Sequence, residues 1–330
     1  ELSPDDGSHH LLMPFEALAD LRPGLDALPC GDATLPERPA LALSSFADDI
    51  VLPSGRRHAI RVVAQGDGSS VRLDLRDSDG VDAEGFATTV DDVQLAATVA
   101  LAHALGLEPD RRLAEALTVQ THPNSWIGGG PASDPGRRLM TLARIFDATL
   151  GALGSGWPHR VGAGSCSLGA TVELTADDEA ICEVLPGGEG ATPTRRGRTH
   201  WSSPIAPTRT AAAFPHWLSL TQSSRTDSGG GGARRGGNGV VRTYRVDVPV
   251  TATVGLDRVS NPPHGIGRAG PPAPASAWLE VPGQPRIPVT PWTPLRVPAG
   301  STLGVETAGG AGHGFGGYGD IDFDPADWQG

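Results

Sequence analysis

The spacing of the apolar residues changes near residue 160, and this change constrains the fold more than any other feature of the sequence. Before it, TTVDDVQLAATVALAHALGL and RRLMTLARIFDATLGALG carry apolar residues at helical spacing. After it, short segments such as EAICEVL, AWLEV and GVVRTYRVDVPVTATVGLDR lie between glycine- and proline-rich turns, a pattern typical of strands. We therefore predict a mixed α+β fold, with helices in the first half and a β-rich, Gly/Pro-rich second half.

The same patterns suggest how the chain is organised. Residues 1–50 combine the amphipathic segment FEALADLRPGLDAL with the proline-rich connection LPERPALALSS, and we interpret them as an N-terminal arm or partial helix. The segment RRHAIRVVAQGDGSSVRLDLRDSD alternates on both sides of GDGSS and predicts a β-hairpin. Residues 51–330 are expected to form one domain, divisible into an α+β part, 51–160, and a β-rich part, 161–330.

Composition excludes several classes of mechanism. The sequence contains no lysine, so neither a Schiff-base lysine nor a P-loop lysine is available. A net charge of -12 argues against nucleic acid as a partner. Cys30, Cys166 and Cys182 show no CxxC spacing, which argues against a disulfide framework or a thiolate zinc site and favours the cytoplasm. No apolar run reaches the roughly 18 residues of a membrane span.

The stretch SGGGGARRGGNGVVRTYR, residues 228–245, is a candidate phosphate cradle because bare glycine N–H groups can surround an anion. A Walker motif requires a lysine, and a dinucleotide fingerprint requires a helix after the glycines. Here the lysine is absent and GVVRTYRVDV is itself strand-like. The favoured interpretation is a set of sharp, glycine-built backbone corners that open a strand.

Few residues suggest chemistry by pattern alone. Beyond the adjacent His9 and His10, the histidines form no HExxH or HxH pair, and no metal site within the chain is predicted. His200, in RGRTHWSSPIAPTRT, is the most suggestive histidine because hydroxyl side chains surround it, although a structural role is the alternative. Ser165 and Cys166 do not satisfy GxSxG, which argues against a nucleophile there.

Taken in order, the segments from about residue 51 onward resemble the C-terminal portion of the hydantoinase B family, which includes B subunits of N-methylhydantoinase and 5-oxoprolinase and subunits of acetone and acetophenone carboxylases. DSGGGGARRGGNGVVRTYRV, DRVSNPPHGIGRAGPPAP and GGAGHGFGGYGDIDFDPADW carry the resemblance. It implies a hydantoinase B-like C-terminal architecture and a structural glycine signature: Gly229, Gly230, Gly236, Gly237, Gly239, Gly317 and Gly319.

The resemblance also implies partners and cofactors. In this family a B-type subunit works with a hydantoinase A-like, ATP-binding subunit that phosphorylates an amide, lactam or enolate oxygen before hydrolysis or carboxylation. No cofactor is expected on this chain; ATP with Mg²⁺ and a divalent metal are expected on partner subunits. The family's N-terminal half, with its metal-holding residues, finds no match in this sequence, so a second chain supplying that half is a further expected partner.

Departures from the family pattern bear on the site. The family loop Thr-His-Met-Thr-Asn-Thr corresponds here to Thr-His-Trp-Ser-Ser-Pro, and Gly-Gly-Trp-Gly corresponds to Gly-Gly-Glu-Gly. His200 and Glu189 are the candidate catalytic residues, and Thr199, Asn124 and Ser202 are the candidate substrate-binding residues. The alternative for Glu189 is a solvated turn residue.

Two hypotheses follow. In the first, the chain is a subunit of a split hydantoinase B-type complex that acts with an ATP-dependent A-type subunit in amide or lactam hydrolysis, or in a related carboxylation, and is inactive alone. In the second, it is a catalytically degenerate subunit that scaffolds its partners. The framework glycines match the family well, whereas the polar loop around His200 does not, and this contrast leans toward altered or reduced chemistry.

Overall fold

A computed structural model describes residues 11–13, 40–80, 84–130, 134–177, 179–206 and 214–315. Helices and strands both occur there, which confirms the predicted α+β class. The helices are α1 (Val90–Leu105), α2 (Arg111–Glu115) and α3 (Pro135–Gly156). The strands are β1 (Leu11–Met13), β2 (Leu41–Val51), β3 (Arg57–Gly66), β4 (Val71–Asp74), β5 (Leu117–Gln120), β6 (Ala170–Ala176), β7 (Glu179–Leu185), β8 (Leu218–Ser224), β9 (Val240–Val246), β10 (Val250–Leu256), β11 (Ser276–Glu280), β12 (Ile287–Pro288), β13 (Leu295–Val297) and β14 (Thr302–Glu306).

The predicted hairpin is confirmed as β3 and β4, which pair antiparallel around GDGSS. Inside the turn, Asp67 Oδ1 accepts hydrogen bonds from the backbone N–H groups of Ser69 and Ser70. The hairpin is the centre of a four-stranded sheet in the order β2-β3-β4-β5, with β5 parallel to β4. Ile60 and Val62 on β3 are fully buried, as the alternation predicts.

Strand β2 occupies the end of residues 1–50, the range that the sequence analysis interprets as an N-terminal arm. The end of LPERPALALSS enters strand β2, which pairs with β3 from Leu41 opposite Gly66 to Val51 opposite Arg57. Sequence patterning missed this strand because Asp48, which is buried, interrupts the alternation of apolar residues. The amphipathic segment FEALADLRPGLDAL lies outside the described residues.

Both long helices begin at capping residues that the sequence contains, and α1 also ends at a glycine stop signal. Thr89 caps α1 in a capping box with Asp92, and Gly106 ends it in the left-handed conformation. Asp134 caps α3, and Pro135 occupies its first turn. Helix α3 lies against β2 so closely that a Cβ at Gly151 would stand 2.5 Å from the ring of Phe46. No helix in the described ranges is long and apolar enough to cross a membrane.

Two antiparallel five-stranded sheets form the β-rich half, in the orders β1-β7-β6-β10-β13 and β12-β11-β14-β9-β8. Their buried faces meet, since Glu183 on β7 hydrogen-bonds with Arg242 and Tyr244 on β9. All three side chains are fully buried.

Extended, glycine-rich segments outside the strands pack backbone against backbone. We call these segments, 163–166, 187–191, 228–239 and 308–312, the glycine core. The N–H of Gly310 donates to the carbonyl of Gly237 at 2.9 Å, and the N–H of Gly230 donates to the carbonyl of Gly310 at 2.9 Å. A Cβ at Gly310 would lie 1.9 Å from the carbonyl oxygen of Glu189, so only glycine fits.

The glycines of the signature therefore do not form the sharp backbone corners that the sequence analysis favours. Its described members all lie outside the left-handed region, so they are required for close backbone approach and not for positive φ: Gly229, Gly230, Gly236, Gly237 and Gly239. Gly317 and Gly319 lie outside the described residues.

Candidate functional site

Residues 187–201 form a closed loop after β7 that contains most of the predicted site. Gly187 and Trp201 close its base by exchanging two backbone hydrogen bonds of 2.9 and 2.8 Å. Trp201 is buried there, so the loop is attached to the core at its base. Glu189, Thr199 and His200 lie within this closed loop, and Ser202 follows it directly.

Glu189 holds the closed loop together. Arg195 donates two hydrogen bonds to its carboxylate, of 2.6 and 2.7 Å. Arg198 adds bonds of 3.0 Å from its backbone N–H and 2.9 Å from Nε. The backbone of Glu189 also joins the glycine core, because its carbonyl accepts from the N–H of Gly237 at 2.8 Å.

These hydrogen bonds suit a structural anchor, a residue that fixes the conformation of the loop, better than a catalytic residue or a solvated turn residue. Burial would raise the pKa of Glu189, but the hydrogen bonds from Arg195 and Arg198 lower it to about 2. A carboxylate with that pKa stays ionised near pH 7 and is a poor proton carrier. Glu189 is also only 4% exposed, unlike a solvated turn residue.

His200 has an unusual backbone and an unused ring nitrogen. Its φ of 57° is in the left-handed region, which residues other than glycine rarely adopt. Its Nε2 is buried and makes no hydrogen bond within the described part of the chain. Thr199 and Ser202 beside it are exposed, and Thr199 Oγ1 accepts from the N–H of Asn238 at 3.1 Å. The closed loop is thus joined to the glycine core by Thr199, the residue next to His200.

Asn124 is placed elsewhere. It is exposed on the connection between β5 and α3, where its N–H donates to His122 Nδ1 at 3.1 Å. Among the described residues, no hydrogen bond links it to residues 187–202. The structure brings together Glu189, Thr199, His200 and Ser202 in and beside the closed loop, whereas Asn124 lies on a different connection.

The pairing of Glu189 leads to a test of its role as an anchor. Glu189→Gln removes the negative charge that pairs with both arginines. We therefore expect the free energy of unfolding at pH 7 to fall by about 2 kcal/mol, the typical contribution of a hydrogen bond to a charged group. The folded pKa lies below the unfolded one, so this contribution is present above about pH 4.5 and is lost as pH falls toward 2. Denaturant unfolding measures both effects.

Glu280→Gln is the matched control for this substitution. Glu280 pairs with Arg286 at 2.7 Å, but both side chains are roughly half exposed, so the loss is expected to stay below about 0.5 kcal/mol. If the Glu189 and Glu280 variants have the same stability at pH 7, Glu189 is not an anchor.

Sequence reasoning missed a second group of interacting residues. Arg144 on α3 donates from Nε to Asp257 at 2.6 Å and from Nη1 to Asp48 at 2.9 Å. Arg258 donates from Nη1 to Asp48 Oδ2 at 2.9 Å and from Nη2 to Asp147 at 2.7 Å. All five side chains are at least nine-tenths buried, and we call them the ion cluster.

The carboxylates of the ion cluster differ in their acidity. Burial would raise the pKa of Asp48, but the charges of Arg258 and Arg144 hold it at about 2. Burial raises the pKa of Asp147 in spite of Arg258. One signal pointed to this cluster: Arg144 and Asp147 interrupt a helix that is otherwise apolar on nearly every side, which indicates charges paired in an interior.

Within the described ranges, no group of three or more His, Cys, Asp or Glu side chains is arranged to hold a metal ion.

Comparison with solved structures shows a shared fold. The crystal structure of ATP-dependent caprolactamase from Pseudomonas jessenii superimposes with a TM-score of 0.70, covering 91% of this chain and 54% of that chain at 16% identity. The nucleotide-free acetone carboxylase structure, from work on ATP-dependent acetone carboxylation, gives 0.67, covering 95% and 48% at 14% identity. This chain thus spans about half the length of either protein.

Sequence comparison extends this result. The chain is 28% identical over 190 residues to 5-oxoprolinase 1 of Arabidopsis thaliana, a match that covers 54% of this chain and 14% of that protein. The model of the Hydantoinase B/oxoprolinase family matches residues 26–319, which is most of the chain. The resemblance predicted from the glycine-rich motifs is confirmed, and the chain belongs to the hydantoinase B/oxoprolinase family.

Proposed function

We propose that this chain is a subunit of a split hydantoinase B-type complex that acts with an ATP-dependent, A-type subunit on an amide or lactam, by hydrolysis or by a related carboxylation. Membership of the family supports this kind of function. The observation that carries it is the fold shared over 91% of this chain with an ATP-dependent caprolactamase.

The residues of this chain indicate which steps partner subunits would carry out. Phosphorylating an amide oxygen turns a poor leaving group into a good one, and this chain has no lysine to hold a nucleotide in a P-loop. We therefore assign ATP, Mg²⁺ and any divalent metal to partner subunits. One partner is the A-type subunit, and another supplies the hydantoinase B half that this chain does not match.

In this proposal the loop of residues 187–201 contacts the activated substrate. We assign proton transfer or hydrogen bonding to substrate to the imidazole of His200, whose Nε2, buried in this structure, has no hydrogen-bond partner among the described residues. Thr199 and Ser202 present hydroxyls beside it, and Asn124 would contact the substrate from another part of the surface. Glu189 is a positioning residue, because its bonds to Arg195 and Arg198 fix the loop.

A scaffolding function is the second candidate. It is favoured by the glycine core, which needs glycine for packing whether or not chemistry occurs, and by the saturation of Glu189 with hydrogen bonds. In that case the chain would support its partners without touching substrate.

Reconstitution with an A-type subunit and a hydantoinase B N-terminal half separates the two candidates. ATP-dependent opening of a lactam is expected, with no turnover by this chain alone. His200→Asn keeps a residue that tolerates the left-handed backbone, and it should lower kcat at least 100-fold if His200 transfers a proton. His216→Asn, at an exposed histidine, is the control and should leave kcat unchanged.

Each outcome decides between the candidates. Full activity of an assembled His200→Asn complex favours the scaffold. Lactam turnover by this chain without ATP or partners contradicts the proposal altogether.

A further inference from the structure

Arginine side chains are concentrated around the closed loop, although the chain as a whole is acidic. The sequence carries 38 acidic and 26 basic residues, yet residues 187–239 contain seven arginines and only two acidic residues. Five of these arginines lie on two neighbouring segments, the closed loop and residues 228–239 of the glycine core, and each is at least partly exposed. We call them the arginine patch: Arg195, Arg196, Arg198, Arg234 and Arg235.

Hydrogen bonds hold the two segments of the arginine patch side by side. Nε of Arg234 donates to the carbonyl of Pro193 at 2.9 Å. The N–H of Gly197 donates to the carbonyl of Arg235 at 3.0 Å. The arginines of the closed loop and those of the glycine core therefore belong to one surface.

The arginine patch keeps a surplus of positive charge. Arg195 and Arg198 share the one carboxylate of Glu189. Arg235 lies 3.6 Å from Asp227, whose side chain is 90% exposed, so water screens that contact. A fourth arginine donates to a carbonyl, which carries no net charge. In these contacts four guanidinium groups meet two carboxylates, and an acidic ligand is therefore favoured at this surface.

The chain passes the arginine patch again at the end of the described residues. His313 and Arg234 exchange two backbone hydrogen bonds, each of 2.9 Å. One residue further along, the N–H of Ala233 donates to the carbonyl of Gly314 at 3.3 Å. Phe315 follows with 65% of its surface exposed. The sequence after Phe315 therefore starts beside the patch.

That sequence, residues 316–330, is acidic. It reads GGYGDIDFDPADWQG and contains four aspartates and no basic residue. Asp320, Asp322 and Asp324 alternate with apolar residues, so an extended chain places the three carboxylates on one side. The five residues that lead from the patch to Asp320 can span up to about 17 Å, which is enough to bring the carboxylates over the arginine side chains.

We propose that residues 316–330 bind on the arginine patch, with Asp320, Asp322 and Asp324 facing its guanidinium groups. The charges are complementary, and attachment beside the patch keeps the segment at an effective concentration of about 1 mM. An acidic segment of another molecule lacks that advantage. This contact goes beyond the proposed function, since it requires neither ATP nor a partner subunit.

Peptide binding to the whole chain tests the identity of the occupant. In one variant, which we call the tail variant, all four aspartates become asparagine: Asp320→Asn, Asp322→Asn, Asp324→Asn and Asp327→Asn. The probe is a fluorescent peptide with the sequence of residues 316–330, and anisotropy follows its binding at low ionic strength, where charge pairs are least screened.

The peptide is expected to bind the tail variant with Kd of about 0.1 mM, because the patch is left vacant. It should bind the parent chain about tenfold more weakly, because there the attached segment competes. Equal affinity for the two chains overturns the proposal. Equal binding of a scrambled peptide of the same composition also overturns it, since any acidic segment would then fit the patch.

Substitutions made in the tail variant test the location. Arg196→Gln/Arg235→Gln removes two guanidinium groups of the patch and leaves the Glu189 pairs in place, so peptide binding should weaken about tenfold. Arg245→Gln/Arg286→Gln is the matched control, because it removes the same charge from side chains that are 61% and 60% exposed elsewhere on the surface. It should leave binding unchanged.

Thermal unfolding verifies that each of these variants is folded. Unaltered peptide binding by the folded Arg196→Gln/Arg235→Gln chain refutes the arginine patch as the site. Since no ATP is present, these results are independent of the reconstituted activity.

Discussion

Gly237→Val is expected to leave little or no folded protein. A Cβ at this position would stand 1.9 Å from the carbonyl oxygen of Arg198 and 3.0 Å from the backbone nitrogen of Glu189. Neither group can move alone, because the N–H of Glu189 donates to that same Arg198 carbonyl. The clash is therefore between backbones that hydrogen bonds already fix, and the loss should exceed about 4 kcal/mol, a large share of a domain's stability.

Gly236→Val provides an independent version of the same test, since its Cβ would lie 1.9 Å from the carbonyl oxygen of Gly310. Gly231→Val is the matched control in the same segment, because a Cβ there meets no heavy atom of the described residues within 4 Å. Its loss is expected to stay below about 1 kcal/mol. Soluble yield and circular dichroism during denaturant unfolding measure all three variants.

Two results would contradict the packing role of these glycines. One is a Gly237→Val protein as soluble and stable as Gly231→Val. The other is unchanged solubility together with selective loss of ATP binding, which would restore the phosphate-cradle interpretation that the missing lysine and the following strand argue against.

Features encoded by neighbouring residues could be predicted from the sequence. The hairpin around GDGSS needs only alternation and a turn, and both are present within one short segment. Helix α1 carries its own start signal at Thr89 and its own stop signal at Gly106. The order of the glycine-rich motifs identified the family, because several matches in sequence are specific where one is not.

Features that depend on distant residues could not be predicted in this way. Asp48 meets Arg258 across 210 positions of sequence, so no local pattern shows that its charge is neutralised. Glycine at position 237 is explained only by the Arg198 carbonyl beside it, which belongs to another segment. For Glu189 the sequence suggests a catalytic residue or a solvated turn residue, and it does not show that Arg195 and Arg198 donate hydrogen bonds to this carboxylate. Burial of charge is a tertiary property, and local propensity carries little information about it.

Arg242→Met is expected to destabilise the protein by about 3 to 5 kcal/mol, because it leaves a carboxylate without its cation in the interior. Arg242 donates from Nη2 to Glu183 at 2.6 Å, and both side chains are at least 99% buried. Arg242 Nε donates a second bond to Glu183 at 3.3 Å, and Tyr244 supplies a third, from Oη at 2.5 Å. Burial raises the pKa of Glu183 even with Arg242 present, so without Arg242 the carboxyl should take up a proton more readily still.

The raised pKa of Glu183 makes the stability of the protein depend on pH. When the pKa of a carboxyl is higher in the folded than in the unfolded state, the folded state loses stability as pH rises from the unfolded pKa to the folded pKa. Lowering the pH from 7 to 5 should therefore restore part of the stability of Arg242→Met relative to the parent protein. Urea unfolding at both pH values measures the difference.

Two further variants isolate the buried charge. Glu183→Gln/Arg242→Met keeps an acceptor for Tyr244 but removes both charges, so it should be more stable at pH 7 than Arg242→Met alone. Arg245→Met, on the same strand, breaks only a 3.9 Å contact with Asp247 between side chains that are more than half exposed, and should change stability by less than about 0.5 kcal/mol. If Arg242→Met unfolds as Arg245→Met does, the two sheets are held together by apolar packing, and the Glu183–Arg242 pair contributes nothing measurable.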